Sequence, residues 1–163
     1  MKLYLIRHGI AAEPSEDVKD ETRSLTHEGR KKTAKVAKRL DEIGVRFDLI
    51  LTSPLVRARQ TAKILVAAGL CPHLEESIDL APGGGIQAWL RWLEEWRRAG
   101  GSQLALVGHQ PNLGNWAEIL VWGDTQEALI LKKAGMIGLS LPETQSAVGH
   151  SQMFLLSSPK WLL

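Results

Sequence analysis

A three-layer α/β/α sandwich around a mostly parallel, mixed sheet is the fold class this sequence predicts, as a single domain over 1–163. Three observations carry that prediction. Short apolar runs recur, each followed by a small or polar residue and a helix start, as buried parallel strands do. Stretches with apolar residues at helical spacing separate the runs. The composition, 44% hydrophobic and 23% charged over 163 residues, is that of a globular chain able to bury one core.

The elements follow in order. Leu3-Tyr4-Leu5-Ile6 is the first run and leads into Arg7-His8-Gly9. Thr26 is placed to cap a helix over 27–43, with Glu28 in the first turn, where the dipole favours an acid, and Gly44 as the stop. Phe47-Asp48-Leu49-Ile50-Leu51 is the second run, followed by Thr52-Ser53-Pro54. Ser53-Pro54 predicts a helix start, because proline suits the first helical position. Leu55, Ala58, Ala62 and Leu65 share one side of that helix, which ends near Gly69. Ile86, Trp89, Leu90 and Leu93 define an amphipathic helix closed by Gly100-Gly101. Leu104-Ala105-Leu106-Val107 is the third run, and Pro111 opens a helix as far as Leu120. The segments 128–131, 136–141 and 153–156 read as late strands, some of them antiparallel at an edge.

Composition excludes several classes of partner. Lys plus Arg number 20 against 18 Asp plus Glu, and Arg30-Lys31-Lys32 is the longest basic stretch, so no stripe is predicted that would grip nucleic acid. No apolar run approaches the ~18 residues of a membrane span. The N-terminus meets Arg7 and His8 too early for a signal peptide. Cys71 is the single cysteine, which leaves neither an intrachain disulfide nor a cysteine metal cage. A cytoplasmic protein is the expectation, with no nucleic-acid or membrane partner.

Ligands of open α/β sheets bind beyond the carboxyl ends of the strands. There the three runs place Arg7 and His8, then Ser53 with Arg57 a turn further on, then His109. Two guanidiniums and two imidazoles suit a dianion, because the planar guanidinium fork matches phosphate oxygens and offsets charge in a phosphoryl transition state. A neutral imidazole can attack phosphorus, and its ordinary pKa of ~6.5 makes that form available near pH 7. Neighbouring arginines favour the neutral form further. Arg59 faces another way, and His27, His73 and His150 read as surface or loop residues.

These motifs resemble those of the histidine phosphatase (phosphoglycerate-mutase-like) superfamily. Arg7-His8-Gly9 matches its signature, Ser53-Pro54-Leu55-Val56-Arg57-Ala58-Arg59-Gln60-Thr61 its second motif, and Gly108-His109-Gln110-Pro111 its third. The short chain, the Asp20-Glu21-Thr22-Arg23-Ser24-Leu25-Thr26-His27-Glu28-Gly29 segment and Asp79-Leu80-Ala81-Pro82-Gly83 are similar to the SixA-type phosphohistidine phosphatases. The resemblance implies a phosphoglycerate-mutase-like fold and a metal-independent phosphatase with no cofactor. His8 is then the phosphorylated nucleophile, with Arg7, Arg57 and His109 on the phosphoryl oxygens. Ser53, Arg23 and Asp79 are the further candidate substrate contacts.

One departure bears on the substrate. Many members use a glutamate to protonate the leaving oxygen, and Asp79 stands there one methylene shorter. A phosphoimidazole needs no such acid, since its free ring nitrogen takes a proton from solvent and neutral imidazole departs. An ester expels an alkoxide and does need one. The expected partner is therefore a phosphohistidine-bearing protein, such as a phosphotransfer domain of a signalling relay, with phosphate as product. The alternatives are a small-molecule phosphate-ester phosphatase and a non-catalytic phospholigand-binding module.

Overall fold

The computed structural model describes residues 1–163. In chain order it contains β1 (Lys2–Arg7), α1 (His27–Glu42), β2 (Leu49–Thr52), α2 (Val56–Ala67), β3 (Leu74–Glu76), α3 (Ile86–Arg98), β4 (Gln103–Gly108), α4 (Asn112–Trp122), β5 (Met136–Ser140) and β6 (Gln152–Ser157). One sheet runs β3-β2-β4-β1-β5-β6. Its first four strands are parallel, and β5 and β6 complete it antiparallel.

Strand alternation builds the three layers. Leu3 and Leu5 of β1 share one face with Leu104 and Leu106 of β4, where α3 supplies Trp89 and Leu93 and α4 supplies Leu113, Trp116 and Leu120. Tyr4 and Ile6 face the other way, onto Val36 and Leu40 of α1 and Ala58, Ala62 and Leu65 of α2. Period-2 side-chain direction thus splits one run of four apolar residues between two cores. Each fully buried leucine contributes about 1.5–3 kcal/mol relative to exposure. Of the tryptophans on α3, Trp89 is buried against Trp116 with ring centroids 5.3 Å apart, while Trp92 and Trp96 stack at 5.8 Å and are half-buried. No helix is long and apolar enough to cross a membrane.

The first helix follows its expected cap, for the Thr26 hydroxyl accepts the Gly29 N–H at 2.9 Å. Gly29 meets a second need. A Cβ there would stand 2.0 Å from the carbonyl oxygen of Ile10, so α1 packs directly on the loop that follows Arg7-His8-Gly9. Gly29→Ala is expected to destabilise by about 1–3 kcal/mol, as overpacking does. Calorimetry should then show a Tm lower by about 2–12 °C at this chain length. An unchanged Tm would mean that the contact is not close.

Three expectations are corrected. The helix placed at Ser53-Pro54 begins at Val56, because Leu55 is extended (φ −66°, ψ 142°) and takes the N-cap position. The segment 128–131 is no strand. Side chains take backbone groups in this segment and just before it: the buried Glu118 carboxylate accepts the N–H groups of Gln126, Glu127, Ala128 and Leu129, at 2.8, 2.9, 2.5 and 2.8 Å. Leu129 and Leu131 then give their carbonyls to Gln110 and Arg7. Finally, β3 is a strand where none was expected, since Leu74-Glu75-Glu76 is an exposed edge with no apolar run.

Candidate active site

The site follows from strand register. In the parallel pairs Arg7 lies beside Gly108 and Thr52 beside Val107, so β1, β4 and β2 end nearly level. The ladder continues one step beyond, with His8 N–H donating to Gly108 O at 3.0 Å and Ser53 N–H to Val107 O at 2.9 Å. That brings the His8 and His109 rings to 5.3 Å between centroids. Arg57, on the first turn of α2, donates its Nε–H to His8 Nε2 at 3.3 Å. Arg7, the last residue of β1, donates from its Nη1 to Leu131 O at 3.0 Å.

Hydrogen bonds assign the tautomers. His8 Nδ1 lies 2.7 Å from Gly9 O, an acceptor only, so Nδ1 carries the proton and Nε2 the lone pair. Ser53 Oγ accepts the Leu55 N–H at 3.2 Å and lies 2.7 Å from His109 Nε2. When the hydroxyl donates its own proton to that nitrogen, the His109 hydrogen sits on Nδ1. His109 Nδ1 and Arg7 Nε are buried without a partner in the protein, donors in reserve for a ligand.

Both imidazoles are kept neutral. Burial is the main cause for His8, and His109, Arg57 and Arg7 add to it against the Gly9 hydrogen bond, bringing its pKa to about 3. Burial and then Arg57 bring His109 to about 4, with Asp20 opposing and Arg7 and Arg23 assisting. NMR of the ring protons should therefore show neither ring titrating between pH 8 and about 5. The unfolded chain protonates its imidazoles near ~6.5. It therefore binds more protons than the folded state between that pH and the folded values. Stability is lost as pH falls through this window. A His8 or His109 midpoint near 6.5 would contradict the geometry.

Asp20 is the acid at this cluster, and it went unnoticed in the sequence. Its Oδ1 accepts from Arg23 Nε and Nη2 at 2.9 and 2.8 Å, and its Oδ2 from Arg57 Nη2 at 3.2 Å. Its backbone carbonyl takes Arg57 Nη1 at 2.8 Å. Arg23 first, and Arg57 with it, hold this carboxyl below its usual range against partial burial. Three of the five N–H groups of Arg57 are thereby engaged, which orients the guanidinium and leaves two for a ligand.

The other candidates separate. Arg23 reaches the cluster through Asp20 and also donates to Ala12 O at 2.7 Å. Ser53 is fully buried, its hydroxyl committed to His109 and Leu55. Asp79 sits in the 3-10 turn Ile78–Leu80 after β3, half-buried, its carboxylate without a hydrogen bond or ion pair. Arg59 pairs with Glu76 at 3.5 Å. Two supports were missed. Thr61 Oγ accepts the Gly9 N–H at 3.0 Å and donates to Arg57 O at 2.8 Å, tying the end of β1 to α2. Glu118 braces the loop that reaches Arg7. Its signal in the sequence was a lone acid within the apolar stretch Leu113 to Leu120.

The family model of the histidine phosphatase superfamily (branch 1) matches residues 3–80, which include Arg7, His8, Arg57 and Asp79 but not His109. An uncharacterized protein of Picosynechococcus sp. is 51% identical over 164 residues, 100% of this chain and 99% of its own. The mitochondrial serine/threonine-protein phosphatase Pgam5 of Drosophila mojavensis is 33% identical over 95 residues. Those are 53% of this chain and 32% of the relative, so the match spans about a third of that relative. Among solved structures, the protein histidine phosphatase SixA complexed with tungstate superposes with a TM-score of 0.87 at 24% identity over 100% of both chains. The alpha-ribazole phosphatase of Shigella flexneri superposes at 0.70 with 19% identity, over 98% of this chain and 97% of its own. At these identities the two structures are evidence of a shared fold.

Proposed function

The chain belongs to the histidine phosphatase superfamily, and on that premise we propose that it hydrolyses phosphohistidine on a protein through a phospho-His8 intermediate. The observation that carries the reading is the His8 ring. Its Nδ1–H is held by Gly9 O, and the Nε2 lone pair is presented beside the Arg57 guanidinium, with Arg7 and His109 around it.

Each residue then has a task. His8 Nε2 attacks phosphorus as the P–N bond of the substrate breaks. The substrate imidazole leaves neutral, its other nitrogen having taken a proton from water. Arg57 and Arg7 offset the charge on the equatorial oxygens, and His109 Nδ1–H donates to one of them. Water then attacks the phosphoryl group on His8, releasing phosphate and restoring the free ring. Arg57 keeps contact with Asp20 throughout, so its fork is already oriented when the anion arrives.

The proton inventory supports a phosphoramidate over an ester. Asp20, the carboxylate that touches the cluster, is held ionised by Arg23 and Arg57 and has no proton to give at neutral pH. Asp79 touches no member of the cluster through a hydrogen bond or ion pair. Beside Asp20, an open hollow of about 510 Å³ lined by Pro54, Leu55, Ile78 and Pro82 leaves room for a side chain presented by another protein. A phosphotransfer domain fits that description. The cytoplasm suits the buried lone thiol of Cys71, which burial pushes up and leaves inert.

Trapping tests the proposal. Wild-type enzyme incubated with labelled phosphohistidine substrate and quenched within one turnover should carry an acid-labile, base-stable phosphoryl group on His8. Label on another residue, or tight phosphate binding with no turnover, would overturn it. Asp79→Asn separates the ester reading, which the fold shared with an alpha-ribazole phosphatase keeps in view. Turnover of phosphohistidine should stay within about tenfold of wild type, whereas loss of a required general acid would lower it by ~100-fold or more.

A further inference from the structure

Arg7 of the catalytic cluster also lines a second open hollow, of about 470 Å³. Its charged lining is all of one sign: Arg7 itself, Lys32 on α1, Lys132 and Lys133 in the turn before β5, and Lys160 in the 3-10 turn Pro159–Trp161. No carboxylate lines it, and none of the four lysines takes part in an ion pair. Lys132, Lys133 and Lys160 are exposed. Two polar atoms of its lining, Arg7 Nε and Ser158 Oγ, are buried without a partner. Like charges gathered this closely repel one another, and the one contact in return is Lys160 Nζ over the Trp161 ring, 5.1 Å from its centroid.

The lysine turn is built into the site's backbone. Ala134, the next residue, holds a left-handed conformation at φ 59° that disfavours any residue but glycine, asparagine or aspartate. There its N–H is shared between the carbonyls of Arg7 and His8, at 3.1 Å each, while Gly135 N–H closes the turn on Lys132 O at 2.7 Å. The positions of Lys132 and Lys133 are thus tied to the backbone of His8.

The hollow that includes Asp20 differs in character. Asp20 and Glu21 stand there among Pro54, Leu55 and Ile78. The cluster thus shares Arg7 with a hollow of lysines and Asp20 with a hollow that carries acids. A uniformly charged nucleic-acid backbone reaching from the lysines to the cluster would meet repulsion at Asp20 and Glu21. Lysines are mobile point charges on long stems and, unlike a guanidinium fork, do not select one anion geometry. They suit several carboxylates on a protein surface and act by steering and orientation.

We infer that the Lys32, Lys132, Lys133 and Lys160 hollow beside Arg7 is a docking site for an acidic segment of the substrate protein next to its phosphorylated side chain. The inference rests on the proposed reading for the identity of the substrate, and not for the anion site itself.

Two measurements separate these. Hexaglutamate peptide, titrated into the protein at low ionic strength and followed by amide NMR shifts, should move Lys132, Lys133 and Lys160. The triple variant Lys132→Gln, Lys133→Gln, Lys160→Gln should weaken its binding about tenfold or more. No shift at these residues, or tighter binding of a short single-stranded DNA there, would overturn the inference. Two synthetic phosphohistidine peptides then report on turnover, one flanked by glutamates and the other by glutamines. Wild type should favour the acidic peptide about tenfold in kcat/KM, a ratio that falls with salt and drops below about twofold in the triple variant. A ratio unchanged by the variant would also overturn it. Hexaglutamate binding at the lysines with neither peptide cleaved would sink the phosphohistidine reading and leave the carboxylate site standing.

Discussion

Replacing His8 by alanine is expected to lower single-turnover cleavage of a phosphohistidine substrate by about 10⁴-fold or more, while inorganic phosphate still binds within about tenfold of wild type. The two halves of that expectation have separate physical origins. Attack on phosphorus needs a lone pair, and His8 Nε2 is the imidazole nitrogen whose lone pair the hydrogen bonds assign to the cluster. His109 is not placed to take over, because its Nε2 is committed to Ser53 Oγ at 2.7 Å. Anion binding rests instead on Arg7 and Arg57. Arg7 is tied to Leu131 O and Arg57 to Asp20, and neither anchor depends on the His8 ring. Rapid-quench kinetics and calorimetric titration with phosphate measure the halves separately. Residual turnover within 100-fold of wild type would remove His8 from the role of nucleophile. Loss of phosphate binding with the ring would instead mean that the arginines depend on it for their positions.

Glu118→Ala is expected to destabilise the fold by about 3–5 kcal/mol, because four backbone N–H groups lose a buried ionic acceptor at once. At this chain length that lowers Tm by about 6–20 °C. Glu118→Gln keeps the shape and one acceptor oxygen and should cost about half as much. Activity should fall in both variants by about tenfold, since the loop that Glu118 braces delivers Leu131 O to Arg7 and Leu129 O to Gln110. Burial alone would push the Glu118 carboxyl up, and the four donors outweigh it and hold the group below its usual range. The folded state therefore binds fewer protons than the unfolded one, whose value lies near ~4.3. The stabilisation is complete above that pH and is lost as pH falls through the depressed folded value. Wild type and Glu118→Ala should accordingly converge in stability in acid. Equal melting temperatures at pH 7 would show that the loop holds without the carboxylate.

Glu118 also marks where reading the sequence stops. Its helix was visible from Pro111 onward, but an acid in an apolar helix can turn to solvent, to a cation or to backbone. Nothing local distinguishes these. The strand expected at 128–131 failed for the same reason: its apolar residues suited a strand, and the N–H groups of Ala128 and Leu129 were already taken by a side chain ten and eleven positions away. Asp20 escaped notice because an acid three residues before an arginine is common in polar loops. Only contact with Arg57, 37 positions on, gives it a place in the cluster. Ser53 read as part of a helix start, and its fully buried hydroxyl also holds His109 Nε2 at 2.7 Å.

Local pattern alone determined the three parallel strands, the helices between them and the residues at the strand ends. Apolar runs, caps and glycine stops act over a few residues, and the carboxyl end of a parallel strand is a ligand position whatever its neighbours are. Tertiary structure decided the rest: the order that sets β4 between β1 and β2, the tautomer of His8, the Asp20 contact that orients Arg57, and the carboxylate that braces the loop behind Arg7. These depend on which distant donor meets which acceptor after the layers close. A hydrogen bond is specified by ångströms in space and not by spacing along the chain.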